Sequence, residues 1–576
     1  MKKLDAATME VIRYGMLQAT DEMKVKLHKS SIDPLVYIAR DFSCGVFNAK
    51  GDLIAQSLGL PHFLANLGRS ITTTAEDIGG FKNFEDGDVY MTNDPYRVVL
   101  HLPDIDVLMP VFYRGKLIGF TASRAHWSDI GAAEPMMMRA TEVFQEGVLY
   151  RSIRAYEKGK PIPSILRLIR GNTRMPEAIE RNLRAQVAAS LAGKERMLAT
   201  IEKYGVETFT LVLDGILKHG EEIARRRIRS IPNGVYKAES HIDDDGIDLG
   251  KPLKVSVTVT VEDDSMTVDL KGSNKPVKGP MNSGSVQTIT ECRLGFAALM
   301  PVGFPINEGV FRPLNVVIPE DSMFDAKWPA ATFLSYQAGD LAKDLISAAL
   351  APAIPNEVCA PNYGNAANIS FWGYRENGEF YICTGCNAGG AGAKPFEDGE
   401  DAFIFGDLAN IPVEVTEKMF PLKVERYQLR QNSEGPGKYR GGFGLVLDVR
   451  FLDKEGCLSS LIARYQVPTF GILGGGSPPS NWAWINPDSE NSKDVCRATS
   501  VPLRQGDLVR LVTSGGGGYG DPLERDPELV RSDAMKGLIT VRHAEEIYGV
   551  ILEGPSLSVD KKRTKIMHEQ LRKERG

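Results

Sequence analysis

Apolar residues in the first 30 positions recur three and four apart. Met9, Ile12, Met16, Met23 and Leu27 fall on one stripe with charges opposite, which predicts an amphipathic helix. From Val36 the period drops to two: YIARDFSCGVFNAKGDLIAQ alternates on either side of Asn48-Ala49-Lys50-Gly51, a hairpin signal. DVYMTNDPY and HLPDIDVLMPVFYRGKLIGFTASRAH continue as strands, with YRGK at 113–116 as the tight connection. Residues 135–230 return to helical spacing. PEAIERNLRAQVAASLAGKERMLATIEKYG places Pro176 where a first helical turn tolerates it, and LVLDGILKHGEEIARRRIRS ends in arginines that suit a helix C-terminus.

IPNGVY at 231–236 breaks the helices. KPLKVSVTVTVEDDSMTVDLKGS then predicts two strands joined at Glu262-Asp263-Asp264, and Asp243-Asp244-Asp245-Gly246 reads as a turn rather than a calcium loop. One helix is expected near QAGDLAKDLISAALAPAIP, followed by short strands and many glycines to about 520; the chain is helical again from Pro527 and ends basic. The predicted fold class is α+β. A helical and β-hairpin part spans 1–230, a β-rich, glycine-rich multi-strand region 231–525, and a short helical basic tail 526–576.

A length of 576 residues calls for more than one compact unit, and a formal charge of −6 leaves no electrostatic footprint for nucleic acid or anionic lipid. The start, MKKLDAATMEVIRYG, has no apolar h-region, and the longest uncharged apolar run, around Leu345 to Pro355, is too short to span a bilayer. A cytoplasmic location is the expectation. The seven cysteines are odd in number and scattered, as reduced thiols are; Cys383-Thr-Gly-Cys386 has no second pair to complete a zinc knuckle.

Four residues carry candidate chemistry: Asp41, His101, Asp104 and His126. Imidazole nitrogen and carboxylate oxygen together suit zinc, manganese or iron(II). In HLPD (101–104) the two potential ligands lie three apart and can turn toward one ion, with His126 of RAHWSD arriving from a neighbouring strand. Asp129 is placed to orient an imidazole from outside the ligand set. Phosphate-binding motifs fail. Gly515, Gly517 and Gly520 of SGGGGYGDP fit GxGxxG, yet Asp521-Pro522 follows where a helix should open, and GPGKYRGGFG puts Tyr439 where a P-loop needs Ser or Thr.

Taken together, RDFSCGVFNAKGDLIAQ (40–56), NDPY (93–96), HLPD, RAHWSDIG (124–131), FQEGV (144–148), NLRAQVAAS (182–190), GPMNSG (279–284), PINEGVFRPL (305–314), GPGKYRGGFG (435–444) and SGGGGYGDPLERDP (514–527) resemble the hydantoinase B/oxoprolinase B family over about residues 5–550. This is the second subunit of ATP-dependent hydantoinases and lactamases, related to the subunits of acetone and acetophenone carboxylases. The resemblance implies a metal held by His101, Asp104 and His126, with Asp41 at the site as ligand or proton-transfer group beside Asp129. It also implies a hydantoinase A-like partner that binds ATP, in a heterotetramer of two plus two, acting on a small molecule. Cyclic amide hydrolysis is the leading expectation, ketone carboxylation the second, and a scaffold with a structural metal the third. The sequence departs from the family pattern at Arg97-Val98-Val99-Leu100, Trp127, GAAEPMMM (131–138), His62 and Arg181-Asn182, changes expected to make the pocket bulkier and more apolar.

Overall fold

A computed structural model describes residues 5–575, residue 365 excepted, so residues 1–4 and 576 of the two terminal regions lie outside it. Helices take 33% of the chain and strands 24%, in several sheets of which, among the described residues, none closes into a barrel, which makes the fold mixed α+β. The first sheet has seven strands: β1 (Phe42–Asn48), β2 (Leu53–Gln56), β3 (Val89–Thr92), β4 (Asp104–Tyr113), β5 (Lys116–His126), β6 (Ile153–Glu157) and β7 (Lys160–Pro161). Their order is β2-β1-β5-β4-β3-β6-β7, and every pairing is antiparallel.

Alternation along these strands sorts side chains to two faces. Val107 and Met109 of β4 pack with Ile12, Met16, Met23 and Leu27 of the N-terminal helix (Ala6–Ser30) and with Leu183 and Met197 of the helix Pro176–Tyr204. Leu108, Phe120 and Ala122 point the other way, against Leu67 and Ile71 of the helix Leu67–Asp77. With apolar partners on both sides, β1 is buried along its whole length.

The helix Pro176–Tyr204 begins at the expected proline and stops at Gly205, whose φ of 84° suits glycine alone, before Val206–Arg229 continues. The helical expectation for 135–230 holds only for its later part. Residues 135–162 are loop, a single 3-10 turn at Val143–Gln145 and the strands β6 and β7, because Ile153, Arg154 and Tyr156 pair with β3 and extend the sheet at that edge.

A second sheet follows, with β8 (Gly234–Ile242), β9 (Leu253–Glu262), β10 (Ser265–Asp269) and β11 (Leu314–Val317) in the order β11-β10-β9-β8. Val255, Val257, Val259 and Val261 of β9 alternate inward beneath the helices Ser285–Ala297 and Ser335–Leu350. A four-stranded and a five-stranded sheet are built from residues 368–512. The glycine-rich stretch after them is a close-packed junction: a Cβ on Gly516 would lie 1.9 Å from the Ala391 carbonyl oxygen, and one on Gly517 2.0 Å from that of Phe470. The tail holds the helices Pro527–Met535, Val541–Tyr548 and Lys561–Arg575, with a two-stranded hairpin at 552–559. Among the described residues no helix is long and apolar enough to cross a membrane.

Leu60, Phe63, Ala65, Leu100 and Met138 leave the first region's core and join the larger core of the second. The site lies at this seam.

Candidate metal centre

Asp104 opens β4 and His126 closes β5, and the antiparallel register sets them directly opposite each other. Cross-strand neighbours are close enough for short side chains to meet. His101 comes from the turn just before β4, whose backbone doubles back so that the Asp104 N–H donates to the His101 carbonyl at 3.1 Å. Three ligating atoms thus converge. His101 Nε2 is 3.2 Å from His126 Nδ1, His126 Nδ1 is 3.2 Å from Asp104 Oδ1, and His101 Nε2 is 3.3 Å from the same oxygen. All three residues are buried.

The proton count shows what this triangle lacks. His101 Nδ1 lies 2.9 Å from the Phe333 carbonyl, which can only accept, so a neutral His101 carries its proton on Nδ1. Its Nε2 lone pair then faces a carboxylate oxygen, an arrangement that demands a positive charge between or on these groups. The Asp104 carboxyl would be raised by burial, but His101 and then His126 hold it well below the usual carboxylate range. Among the described residues Asp104 Oδ2 is buried without a hydrogen-bond partner. Donor atoms around a tetrahedral zinc with bonds of about 2.0–2.1 Å are about 3.3–3.4 Å apart, close to the edges observed here. The residues fit a divalent cation.

Asp41, the fourth expected ligand, stands one step back. It is not among the residues whose ligating atoms gather within 4.8 Å of one another, which are His101, Asp104 and His126. Its backbone carbonyl accepts from the His126 N–H at 3.0 Å, and the residue lines the adjoining cavity with Oδ1 buried and, among the described residues, unpartnered. Burial pushes that carboxyl up to about 6, with His126 pulling it down and Asp104 pushing it further up.

Asp129 is placed elsewhere. Arg174 Nη1 reaches its Oδ1 at 2.7 Å and Thr173 Oγ1 its Oδ2 at 3.0 Å, and the Arg174 backbone N–H also donates to it. Three residues past β5 the chain has already turned toward the helix Pro176–Tyr204, and among the described residues no imidazole partners this carboxylate. The orienting role expected of Asp129 belongs instead to the Phe333 carbonyl. Glu146 holds that carbonyl in place by accepting the N–H groups of Thr332 at 2.7 Å and Phe333 at 2.8 Å.

The cavity beside the triad measures ≈ 80 Å³, room for more than one water. Its walls are mainly apolar, with Leu60, Phe63, Phe333, Phe405 and Leu408 prominent. Of the residues at which the sequence departs from the family pattern, His62, Leu100 and Met136 line it. Val98, Val99, Trp127 and Met138 are buried in the surrounding packing, and the Trp127 indole N–H donates to Gln186 Oε1 at 2.9 Å. Cys386 also lines the cavity, its thiol pushed up by burial. Cys383 and Cys386 are both free, and neither candidate metal set among the described residues contains a cysteine. The second of these sets is His62, Glu291 and Asp340. In the sequence His62 stands out only as a shifted residue, and no local signal links it to carboxylates more than two hundred positions away.

A family model described as hydantoinase B/oxoprolinase matches residues 5–522. The chain belongs to the hydantoinase B/oxoprolinase family. It is 31% identical, over 96% of both chains, to a protein of Pseudomonas sp. (strain NS671) assigned as the B component of a D-/L-hydantoinase. The crystal structure of the ATP-dependent caprolactamase from Pseudomonas jessenii superposes with a TM-score of 0.92 at 26% identity, covering 99% of this chain and 100% of that one. The acetophenone carboxylase delta subunit of Aromatoleum aromaticum (strain DSM 19018 / LMG 30748 / EbN1) is 27% identical over 94% of this chain and 86% of its own length. Family relatives are thus named as subunits of both hydrolases and a carboxylase.

Proposed function

We propose that this chain is the metal-bearing subunit of an ATP-dependent hydrolase of cyclic amides, of the hydantoin, oxoproline or lactam type. The observation that carries the reading is the convergence of two imidazoles and a carboxylate beside Asp41, whose Oδ1 is buried with no hydrogen-bond partner among the described residues, at one apolar cavity. His101, Asp104 and His126 would hold a divalent ion, with zinc, manganese and iron(II) all suited to nitrogen and oxygen donors. Such an ion, when bound, supplies polarisation of a carbonyl oxygen or a lowered water pKa.

The chain's own residues do the rest. Asp41, raised toward neutrality, accepts a proton from the attacking water. The apolar walls hold the ring and limit the water that reaches it. ATP is bound by a hydantoinase A-like partner, in a heterotetramer of two plus two. The glycine-rich loop that could have cradled phosphate here is filled by its own packing.

The second reading, ATP-dependent carboxylation of a ketone, is favoured by the likeness to the acetophenone carboxylase delta chain and by Phe333 and Phe405 in the cavity wall. Product analysis separates the two. The chain is co-expressed with its ATP-binding partner, and the purified complex is offered hydantoins, lactams and ketones with ATP, with and without bicarbonate. A ring-opened amino acid supports hydrolysis. A carboxylated ketone with no ring opening of any cyclic amide overturns it.

A further inference from the structure

On the same cavity as Asp41 and the two metal-site histidines sits His62, carried on the single helical turn Pro61–Leu64. The loop before it is pinned to β1: Ser43 Oγ donates to the Leu60 carbonyl at 3.2 Å, and a Cβ on Gly59 would lie 2.4 Å from Ser43 Oγ. Phe405 packs edge-on to the imidazole with ring centroids 5.8 Å apart. His62 is therefore fixed in position.

Its two nitrogens have different surroundings. Nδ1 lies 2.8 Å from Glu291 Oε1, and that oxygen also accepts from Gln287 Nε2 at 2.5 Å. Nε2 makes no hydrogen bond among the described residues, and the nearest carboxylate oxygen, Asp340 Oδ1, is 3.7 Å away. Asp340 is itself occupied, with Lys343 Nζ 2.5 Å from the same oxygen. A second cation bound by His62, Glu291 and Asp340 would have to displace or crowd this ammonium, so the three do not read as a second metal centre. A histidine anchored through one nitrogen by a carboxylate, with the other free at a reaction cavity, has the arrangement of a proton-transfer group. Burial works against charge on the imidazole, yet Glu291 and Asp340 together hold it above the usual histidine range, so it stands ready as an acid.

We propose that His62 is the proton donor for ring opening and that Glu291 is its positioning residue. This rests on the cyclic-amide reading above. Water adds its oxygen to the carbonyl carbon and gives one proton to Asp41. The ring C–N bond then breaks, its electron pair goes to nitrogen, and nitrogen takes the proton from His62 Nε2. The product carries a carboxyl group and the freed N–H, as an amine from a lactam or oxoproline and as a ureido group from a hydantoin. A proton passed from Asp41 to solvent and another taken up by His62 restore the starting state.

The test uses the assembled complex with a cyclic amide that the wild-type complex opens. H62Q is expected to lower kcat by about 10²–10⁴-fold, the usual contribution of a positioned acid, with metal content unchanged and KM within about threefold. H62A should regain part of the lost rate with added imidazole, saturably, which a packing role would not allow. Should H62A fail to assemble, E291Q keeps the side-chain volume and is expected to lower kcat about tenfold or more without loss of metal. The proposal is overturned if H62Q turns over within about threefold of wild type, or if H62Q has lost its metal. A wild-type complex that opens no cyclic amide but carboxylates a ketone overturns the parent reading instead.

Discussion

A carboxylate outside the cavity lining sets the orientation of His101. Glu146 is buried and spends both oxygens on Thr332 and Phe333, whose carbonyl in turn fixes the Nδ1 proton of His101. Partners outside the ligand set typically change metal affinity by about 10–100-fold, so E146A is expected to weaken metal binding by that factor in a complex that still assembles, measured by competition with a chelator of known affinity. H101A, D104A and H126A remove ligands themselves. Each is expected to abolish retention of metal and to reduce turnover at least about a hundredfold; full metal content with full turnover in any of them would sink the centre. The ligand residues were legible because HLPD and RAH are short motifs whose strands pair locally. The residues around them were not. The bonds that link Glu146 to Phe333, His62 to Glu291 and His101 to Phe333 span 187, 229 and 232 positions, and no periodicity carries over such separations.

At the scale of elements, the pairing of β4 with β5 holds Asp104 opposite His126, and Arg124 ties that pairing together from within. Its guanidinium reaches both oxygens of Asp106 at 2.6 and 2.7 Å, Asn66 Oδ1 at 2.8 Å and the Val98 carbonyl at 3.2 Å, all fully or nearly fully buried. R124M leaves Asp106 as an unpaired charge in the core, a change that costs about 3–5 kcal/mol, while pairing it with D106L should restore much of the loss because an apolar pair of similar volume is often tolerated. Thermal or denaturant unfolding of the three variants checks this. G516A is expected to be worse, at more than about 4 kcal/mol or outright failure to fold, since its methyl group would meet the backbone of Ala391. Alternation and turn residues made the β1–β2 and β4–β5 hairpins readable, as helical spacing did for Pro176–Tyr204. The strands β6 and β7 were missed because five and two residues are too few to show a period against helical neighbours. Val98, Val99 and Trp127 suggest pocket residues because they lie near ligands in sequence, but Val98 and Val99 sit in the turn before His101 and Trp127 just past β5, and all three are buried in the surrounding packing.

For the molecule as a whole, the cavity exists only where its two large regions meet. Asp41, His62, His101 and His126 come from the first and Phe333, Tyr336, Cys386 and Phe405 from the second. A cation held at that seam binds the folded chain and not the unfolded one, so it adds stability of about RT ln(1 + [L]/Kd), near 2.7 kcal/mol when metal is a hundredfold above Kd. Stabilisation alone therefore cannot separate a catalytic ion from a structural one, and melting temperature should fall on chelation in either case. Assembly and rate do separate them. His101, Asp104 and His126 sit within the chain's own core rather than on its surface, and none is exposed enough to be a docking contact. Chelation of the purified complex is accordingly expected to leave its sedimentation coefficient unchanged and to remove ring opening almost completely, with recovery on adding back zinc, manganese or iron(II). The scaffold reading requires otherwise: metal loss lowers assembly or melting temperature, with whatever complex remains keeping its full specific activity. Sedimentation and turnover measured on the same chelated sample decide between these outcomes.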